Sequence, residues 1–215
     1  MNKIIVESRN DKYFINRLIE VMNLSDIEIE EPICNVDEFI CLGGMANLER
    51  KIRDIKLDDI DKLGIVLDAD SEGIDNRLQE VNTVLREVGI DVELESVNRL
   101  KRDHSLGLDV TCHIFNIDGY GELENILLAI KTKESTFADC LDSWRKCLEE
   151  NGKSISKKGF LKFWTNNYIR FDTCSSHERK QVNRKCNFES ALQKDIWDFN
   201  HSALDSTKEF LRLFQ

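Results

Sequence analysis

Proline is almost missing from this chain: Pro32 is the only one in 215 residues. That excludes a proline-rich or collagen-like linker. No apolar run approaches the ~20 residues of a membrane-spanning helix, so no membrane association is expected. The opening stretch "MNKIIVESRND" enters a strand pattern at once, without the apolar core of a signal peptide. The seven cysteines are irregularly spaced and include no Cys-x-x-Cys. Together these features describe a cytoplasmic protein with reduced thiols. There is no Walker A sequence, so any ATPase is a separate partner subunit. No internal repeat or low-complexity stretch is present.

An excess of positive charge is missing too. Thirty Lys and Arg face forty Asp and Glu, a net charge of −10, which argues against a simple nucleic-acid-coating protein. The distribution is uneven. Residues 151–215 hold twelve basic and seven acidic residues, a net of +5, whereas residues 1–150 carry −15. A basic segment behind an acidic body either approaches a polyanion or packs against that body. Hydrophobic residues at 41% and charged residues at 33% give an ordinary globular balance.

Local patterns order the elements. "KIIVES" (3–8) is a buried strand, and Asn10 or Asp11 caps the helix in "DKYFINRLIEVM". "IEIEEPI" (27–33) and "EFICLGG" (38–44) read as strands, and "MANLERKIRDI" reads as a helix. "KLGIVLDAD" (62–70) is a fully apolar strand, followed by an amphipathic helix over 74–89 that Gly89 ends. "DVELES" and "DVTCHIFNI" read as strands, and "GELENILLAIK" reads as a helix. Alternating strands and helices over residues 1–131 predict an α/β fold: a mostly parallel sheet with helices on both faces. Residues 132–215 form a basic, helical C-terminal extension.

The chemistry gathers at strand ends. In an open parallel sheet, functional groups sit outside the carboxyl ends of the strands, where the strand order reverses. Glu7 ends the first strand, and Asp68 and Asp70 end "GIVLDAD". Residues two apart on a strand point the same way. If the two strands are neighbours, three carboxylates converge. Crowded carboxylates repel one another and are relieved by a hard divalent cation such as Mg²⁺. Alternatively, Asp70, Ser71 and Asp75 cap a helix and Glu7 is a strand-end surface residue.

"IIVESRND" followed some sixty residues later by "GIVLDADSEG" resembles the TOPRIM domain. This is the metal-binding α/β module of type IA and II topoisomerases, bacterial primases, the nuclease that matures 5S ribosomal RNA and overcoming-lysogenization-defect nucleases. Glu7 matches the family's first-strand glutamate, and Asp68 and Asp70 match its Asp-x-Asp. Ser8 stands where the family most often has glycine. Asp11 resembles a second acid of the nuclease branches. "DGYGELENILL" resembles the segment that supplies a late glutamate, with Glu124 the best match and Glu122 a competitor. "GGMANLERKI" resembles the start of the second helix in stand-alone members. The resemblance implies a TOPRIM-like fold over residues 1–131.

It also implies a Mg²⁺ (or Mn²⁺) site built from Glu7, Asp11, Asp68, Asp70 and Glu124. Catalysis would rest on Glu7, Asp68 and Asp70, with hydrolysis of DNA or RNA phosphodiesters, and the chain would serve as an effector in a phage-defence system beside an ATPase. Two ions held there would clamp the attacking and leaving oxygens. Some nuclease branches add a lysine after the acidic motifs. Here Lys157 and Lys158 begin "KKGFLKFW", with Lys158 the expected catalytic cation and a solvated lysine pair the alternative. Arg179, Lys180, Arg184 and Lys185, together with Lys157, suit a phosphate backbone. Trp144, Trp164 and Trp197 either stack bases or fill a core. "CSSHERKQVNRKC" sets Cys174, His177 and Cys186 in a zinc-like spacing that lacks a fourth ligand, so buried thiols are the expectation. A TOPRIM-like scaffold without catalysis remains open, as do a phosphoacceptor role for Asp68 and a homo-oligomeric assembly.

Overall fold

The computed structural model describes residues 1–34 and 44–215. The expected strand "EFICLGG" begins in residues 35–43 and lies outside the described residues. Five strands form one sheet: β1 Asn2–Val6, β2 Ile27–Ile29, β3 Lys62–Asp68, β4 Lys101–Asp103 and β5 Leu108–Phe115. Their order is β2-β1-β3-β5-β4. β1 runs parallel to β2 and β3, β3 runs parallel to β5, and β4 closes one edge antiparallel to β5. From β1 the chain steps first to β2 on one side and later to β3 on the other. The strand order therefore reverses between β1 and β3, where crossovers diverge and leave a crevice at the carboxyl ends.

The helices are α1 Arg9–Val21, α2 Gly44–Asp54, α3 Gly73–Glu87, α4 Leu123–Ile130, α5 Thr136–Asp139, α6 Leu141–Glu150, α7 Lys157–Asn167, α8 Ser176–Arg179, α9 Val182–Lys185, α10 Phe188–Leu192 and α11 Asp205–Arg212. They cover both sheet faces, giving the expected α/β, Rossmann-like architecture. Strand alternation sorts the core into two layers. Ile4, Val6, Val66 and Phe115 face a cluster with Phe14 and Leu18 of α1, Trp164 of α7 and Phe210 of α11. Ile5, Ile65, Leu67 and Ile114 face a second cluster with Leu48 and Ile52 of α2 and Leu78 and Val81 of α3. Trp164 and Trp197 are core residues, whereas Trp144 is 40% exposed.

Residues beyond 131 complete the first layer. Phe210 and Phe214 reach β3 at Gly64, where an added Cβ would lie 2.8 Å and 2.6 Å from their ring tips. A side chain at position 64 would push the C-terminal helix off the sheet.

Two local expectations change. Ser8, not Asn10 or Asp11, caps α1: its hydroxyl accepts from the Asp11 N–H at 3.2 Å, and the Asp11 carboxylate accepts from the Ser8 N–H at 2.7 Å. "DVELES" is not a strand. That segment is tied to α3 by Asn82, whose side chain bonds both the N–H (2.8 Å) and the carbonyl (2.9 Å) of Leu94. The edge strand is instead the charged β4, anchored by buried Asp103, which accepts from the N–H groups of Asp91, Ser105 and Leu106 and from the Ser105 hydroxyl. Those four donors hold the Asp103 carboxyl down at about 2, with the Ser105 hydroxyl the largest cause. Gly89 does end α3, at φ +85°.

Cys174 and Cys186 are joined as a disulfide, a correction to the expected reduced thiols. Among the described residues, no helix is long and apolar enough to cross a membrane.

Candidate functional site

A cleft of about 1360 Å³ opens at the carboxyl ends of β1 and β3. Its lining includes Glu7, Asp11, Asp68, Asp70, Glu122 and Glu124, and it also includes Arg77, Lys157, Lys158 and Lys162. β1 and β3 are direct neighbours, with Val6 opposite Val66, so Glu7 and Asp68 leave adjacent strand ends. The Asp68 N–H points at Glu7 Oε2 over a long 3.4 Å.

Asp68 is 7% exposed, and its Oδ1 accepts from the Leu123 N–H at 3.1 Å, the first amide of α4. A carboxylate at a helix N-terminus is favoured by the helix dipole. Asp68 therefore supports the first amide of α4, whose N-cap residue is Glu122, and not the helix α3 that follows it in sequence. Asp70 caps nothing. It adopts φ +48° and exchanges backbone bonds with Gly121, N–H to carbonyl at 2.8 Å and 2.9 Å. Gly121 has φ +96°, and a Cβ there would sit 2.4 Å from Asn125 Oδ1. That bridge turns the Asp70 carboxylate toward two cations: Lys158 Nζ at 2.6 Å from Oδ1 and Arg77 Nη2 at 2.5 Å from Oδ2. The N-cap residue of α3 is Glu72, whose exposed side chain makes no capping bond.

Burial sets the electrostatics. Asp11 is pushed up to about 7, first by desolvation and then by Glu7 and Glu124. Asp68 rises well above the carboxylate range through desolvation and the charges of Asp11 and Glu7, which Lys158 only partly offsets. Glu122 is pushed up to about 7 by burial against the pull of Lys158, and Glu124 also rises by burial. Asp70 goes the other way. Burial works upward on it, but bonding to Lys158 and the Arg77 charge hold it below its ordinary value. Lys158 is itself driven upward: desolvation opposes its charge, and Asp68, Asp70 and Glu7 outweigh that cost.

The cleft thus brings together Glu7, Asp11, Asp68, Asp70, Glu124, Lys157 and Lys158 of the residues expected from sequence. It does not include Arg179, whose guanidinium bonds the carbonyls of Phe171 (3.3 Å) and Cys174 (3.0 Å) and the Ser176 hydroxyl (3.2 Å). Lys180, Arg184 and Lys185 are exposed and stand outside the cleft lining. They fall inside the 12-residue span closed by Cys174 and Cys186. Two charged cleft residues, Arg77 and Lys162, escape sequence reading because they look like ordinary helix surface, and Glu122, the competitor to Glu124, lines the cleft beside it.

Among the described residues, no group of three His, Cys, Asp or Glu side chains stands close enough to hold a metal ion. The donor set is nevertheless the kind a hard cation needs. It is all carboxylate oxygen, drawn from the end of β1, α1, the end of β3 and α4, and burial together with neighbouring carboxylates raises the pKa values of Asp11, Asp68 and Glu124. The Lys158 ammonium stands at Asp70 and Asp68, and Arg77 also bonds Asp70.

Fold and cleft together define an α/β protein with a carboxylate–lysine site at the switch point of a parallel sheet. Over its whole length, residues 1–215, the chain matches the family described as "Protein of unknown function (DUF3226)", and it belongs to that family. No curated protein and no solved structure matches it.

Proposed function

We propose that this protein is a TOPRIM-like, Mg²⁺- or Mn²⁺-dependent nuclease that hydrolyses phosphodiester bonds of DNA or RNA in the cytoplasm. One observation carries the reading. Buried carboxylates of α1, the end of β3 and the start of α4 line one cleft at the switch point, with raised pKa values and a lysine among them. A protein whose acids served stability alone would not bury so many together, because each uncompensated charge is costly.

Glu7 and Asp68 are the residues that would hold an ion, with Asp11 and Glu124 beside them. When bound, such an ion supplies Lewis-acid polarisation of a phosphoryl oxygen and an activated water. Lys158 then becomes available to a phosphate oxygen, where its charge stabilises the negative charge that develops. Arg77 keeps Asp70 fixed when Lys158 shifts. The resemblance also supports a role as a defence effector beside an ATPase subunit.

The test is a cleavage assay on single- and double-stranded DNA, transfer RNA and ribosomal RNA with Mg²⁺ or Mn²⁺. Cleavage that EDTA stops, and that falls at least ~10²-fold in Asp68→Ala, is expected. Intact substrates under all of these conditions would refute the nuclease reading.

A second reading, a scaffold without catalysis, is favoured by the two cations that already satisfy Asp70. It expects salt-sensitive nucleic-acid binding that neither EDTA nor Glu7→Ala alters.

A further inference from the structure

One polar face of α7 runs along the cleft: Ser156, Lys157, Lys158, Lys162, Thr165 and Asn166 all line it. Lys158 and Lys162 are separated by one helical turn, a rise of about 6 Å. That spacing is comparable with the separation of successive phosphates along one nucleic-acid strand. Thr165 follows on the next turn. It is 3% exposed, and its Oγ1 has no hydrogen-bond partner among the described residues. A buried hydroxyl without a partner is costly unless a ligand satisfies it. The Ser156 hydroxyl caps the helix through the Gly159 N–H at 3.0 Å, so the positive end of an 11-residue helix faces the same cleft.

One residue beyond Lys162, Phe163 turns outward. It pairs with Trp144 of α6 at 5.3 Å between ring centroids, and both rings are 40% exposed. The other two tryptophans are buried at 4% exposure each, so this ring pair is not part of the core. An exposed aromatic surface beside a row of lysines has the two ingredients of single-strand binding: charge for the backbone and a π-face for bases. In a duplex the bases are paired and stacked on each other, and they cannot lie on that surface. A mononucleotide has no second phosphate for Lys162.

We propose that the cleft face of α7 and the adjoining Trp144–Phe163 pair form a track for single-stranded nucleic acid. Successive phosphates meet Lys158, Lys162 and Thr165, and a base stacks on the aromatic pair. The proposal rests on the cleft being a nuclease site and adds strandedness and length to its substrate.

The test is a tryptophan-fluorescence titration of the full chain, in Ca²⁺ and again in EDTA. The ligands are thymidine and uridine oligomers of about eight nucleotides, the corresponding mononucleotides and a duplex of equal length. Saturable quenching by the single-stranded oligomer in either buffer is expected, at least about tenfold tighter than for mononucleotide or duplex. The signal disappears in Trp144→Phe. Lys162→Gln and Phe163→Ala each weaken oligomer binding about fivefold or more. Thymidine and uridine arms separate DNA from RNA.

Equal affinity for mononucleotide and oligomer, preference for duplex, no saturable binding, or Lys162→Gln and Phe163→Ala both binding like the parent would overturn the track. Ion-dependent cleavage without length-dependent affinity sinks the track alone. Length-dependent quenching without cleavage sinks the nuclease reading alone.

Discussion

Lys158 Nζ lies 2.6 Å from Asp70 Oδ1 and 3.5 Å from Asp68 Oδ2, so one ammonium from α7 bridges both acids of the Asp-x-Asp motif. The lysine stands where the carboxylates need positive charge, and in that position it competes with an added cation.

Replacing it tests that competition. Lys158→Met leaves the buried acids without their bonded ammonium, and the folded state loses about 1–3 kcal/mol in EDTA. Divalent ions then stabilise the variant more than the parent, because nothing has to leave. Thermal midpoints with and without Mn²⁺ measure both effects. A variant as stable as the parent in EDTA, with no larger response to Mn²⁺, contradicts the bridging role.

The pH dependence has two limbs of opposite sign. Asp11 and Glu122 sit at about 7 in the fold, above their ordinary 3.8 and 4.5. A raised folded pKa gives stability that is complete below the ordinary value and is lost as pH rises through about 7. His113 is the reverse. Burial depresses it to about 3 from 6.5. Both its ring nitrogens are occupied, by Asn98 and Thr207 at 2.9 Å each. Its contribution is present above 6.5 and is lost as pH falls through about 3. Denaturant midpoints across this range follow both limbs: Asp11→Asn flattens the upper limb, and His113→Gln flattens the lower one. Stabilisation by Mg²⁺ grows as pH rises through about 7, since ion and proton compete for the same oxygens. An ion effect that is constant across that range argues against binding at these acids.

Gly64 ties the C-terminal helix to the sheet. Gly64→Val drives methyl groups into Phe210, Phe214 and Ile4, and overpacking of this kind costs about 1–3 kcal/mol. Proteolysis of the variant is expected to begin in the C-terminal segment. If Gly64→Val melts with the parent and resists protease equally, the contact carries no stability.

The disulfide closes a loop of 12 residues in sequence separation. Cross-links of that span contribute about 3 kcal/mol in the chain-entropy account. Cys174→Ser with Cys186→Ser is expected to lower the thermal midpoint and loosen α8 and α9, read by amide exchange. A reductant lowers the parent's midpoint by a similar amount and leaves the double variant unchanged. A parent that ignores reductant contradicts the cross-link.

How much of this was legible in sequence depended on how local each cause is. β1 and β3 were plain because runs such as Ile4-Ile5-Val6 and Ile65-Val66-Leu67 allow no other reading in a βαβ chain. Glu7, Asp68 and Lys158 were legible because strand ends and helix starts are positions that a pattern fixes. Arg77 was not, because its bond to Asp70 depends on the left-handed turn that Gly121 stabilises from 51 residues away. "DVELES" alternates like a strand, yet Asn82 claims the backbone of Leu94. β4, with three charged residues, carries no apolar signal at all. The pairing of Cys174 with Cys186 is likewise set by tertiary placement, which spacing alone does not encode.

The central claim is that a divalent cation enters between Glu7 and Asp68. A crystal soaked in Mn²⁺ and measured at the manganese absorption edge tests it most directly. The account predicts an anomalous peak bound by Glu7 and Asp68 oxygens, with the Lys158 ammonium moved off Asp68. A saturating soak with no peak in the cleft, and Lys158 still bridging Asp68 and Asp70, would contradict it.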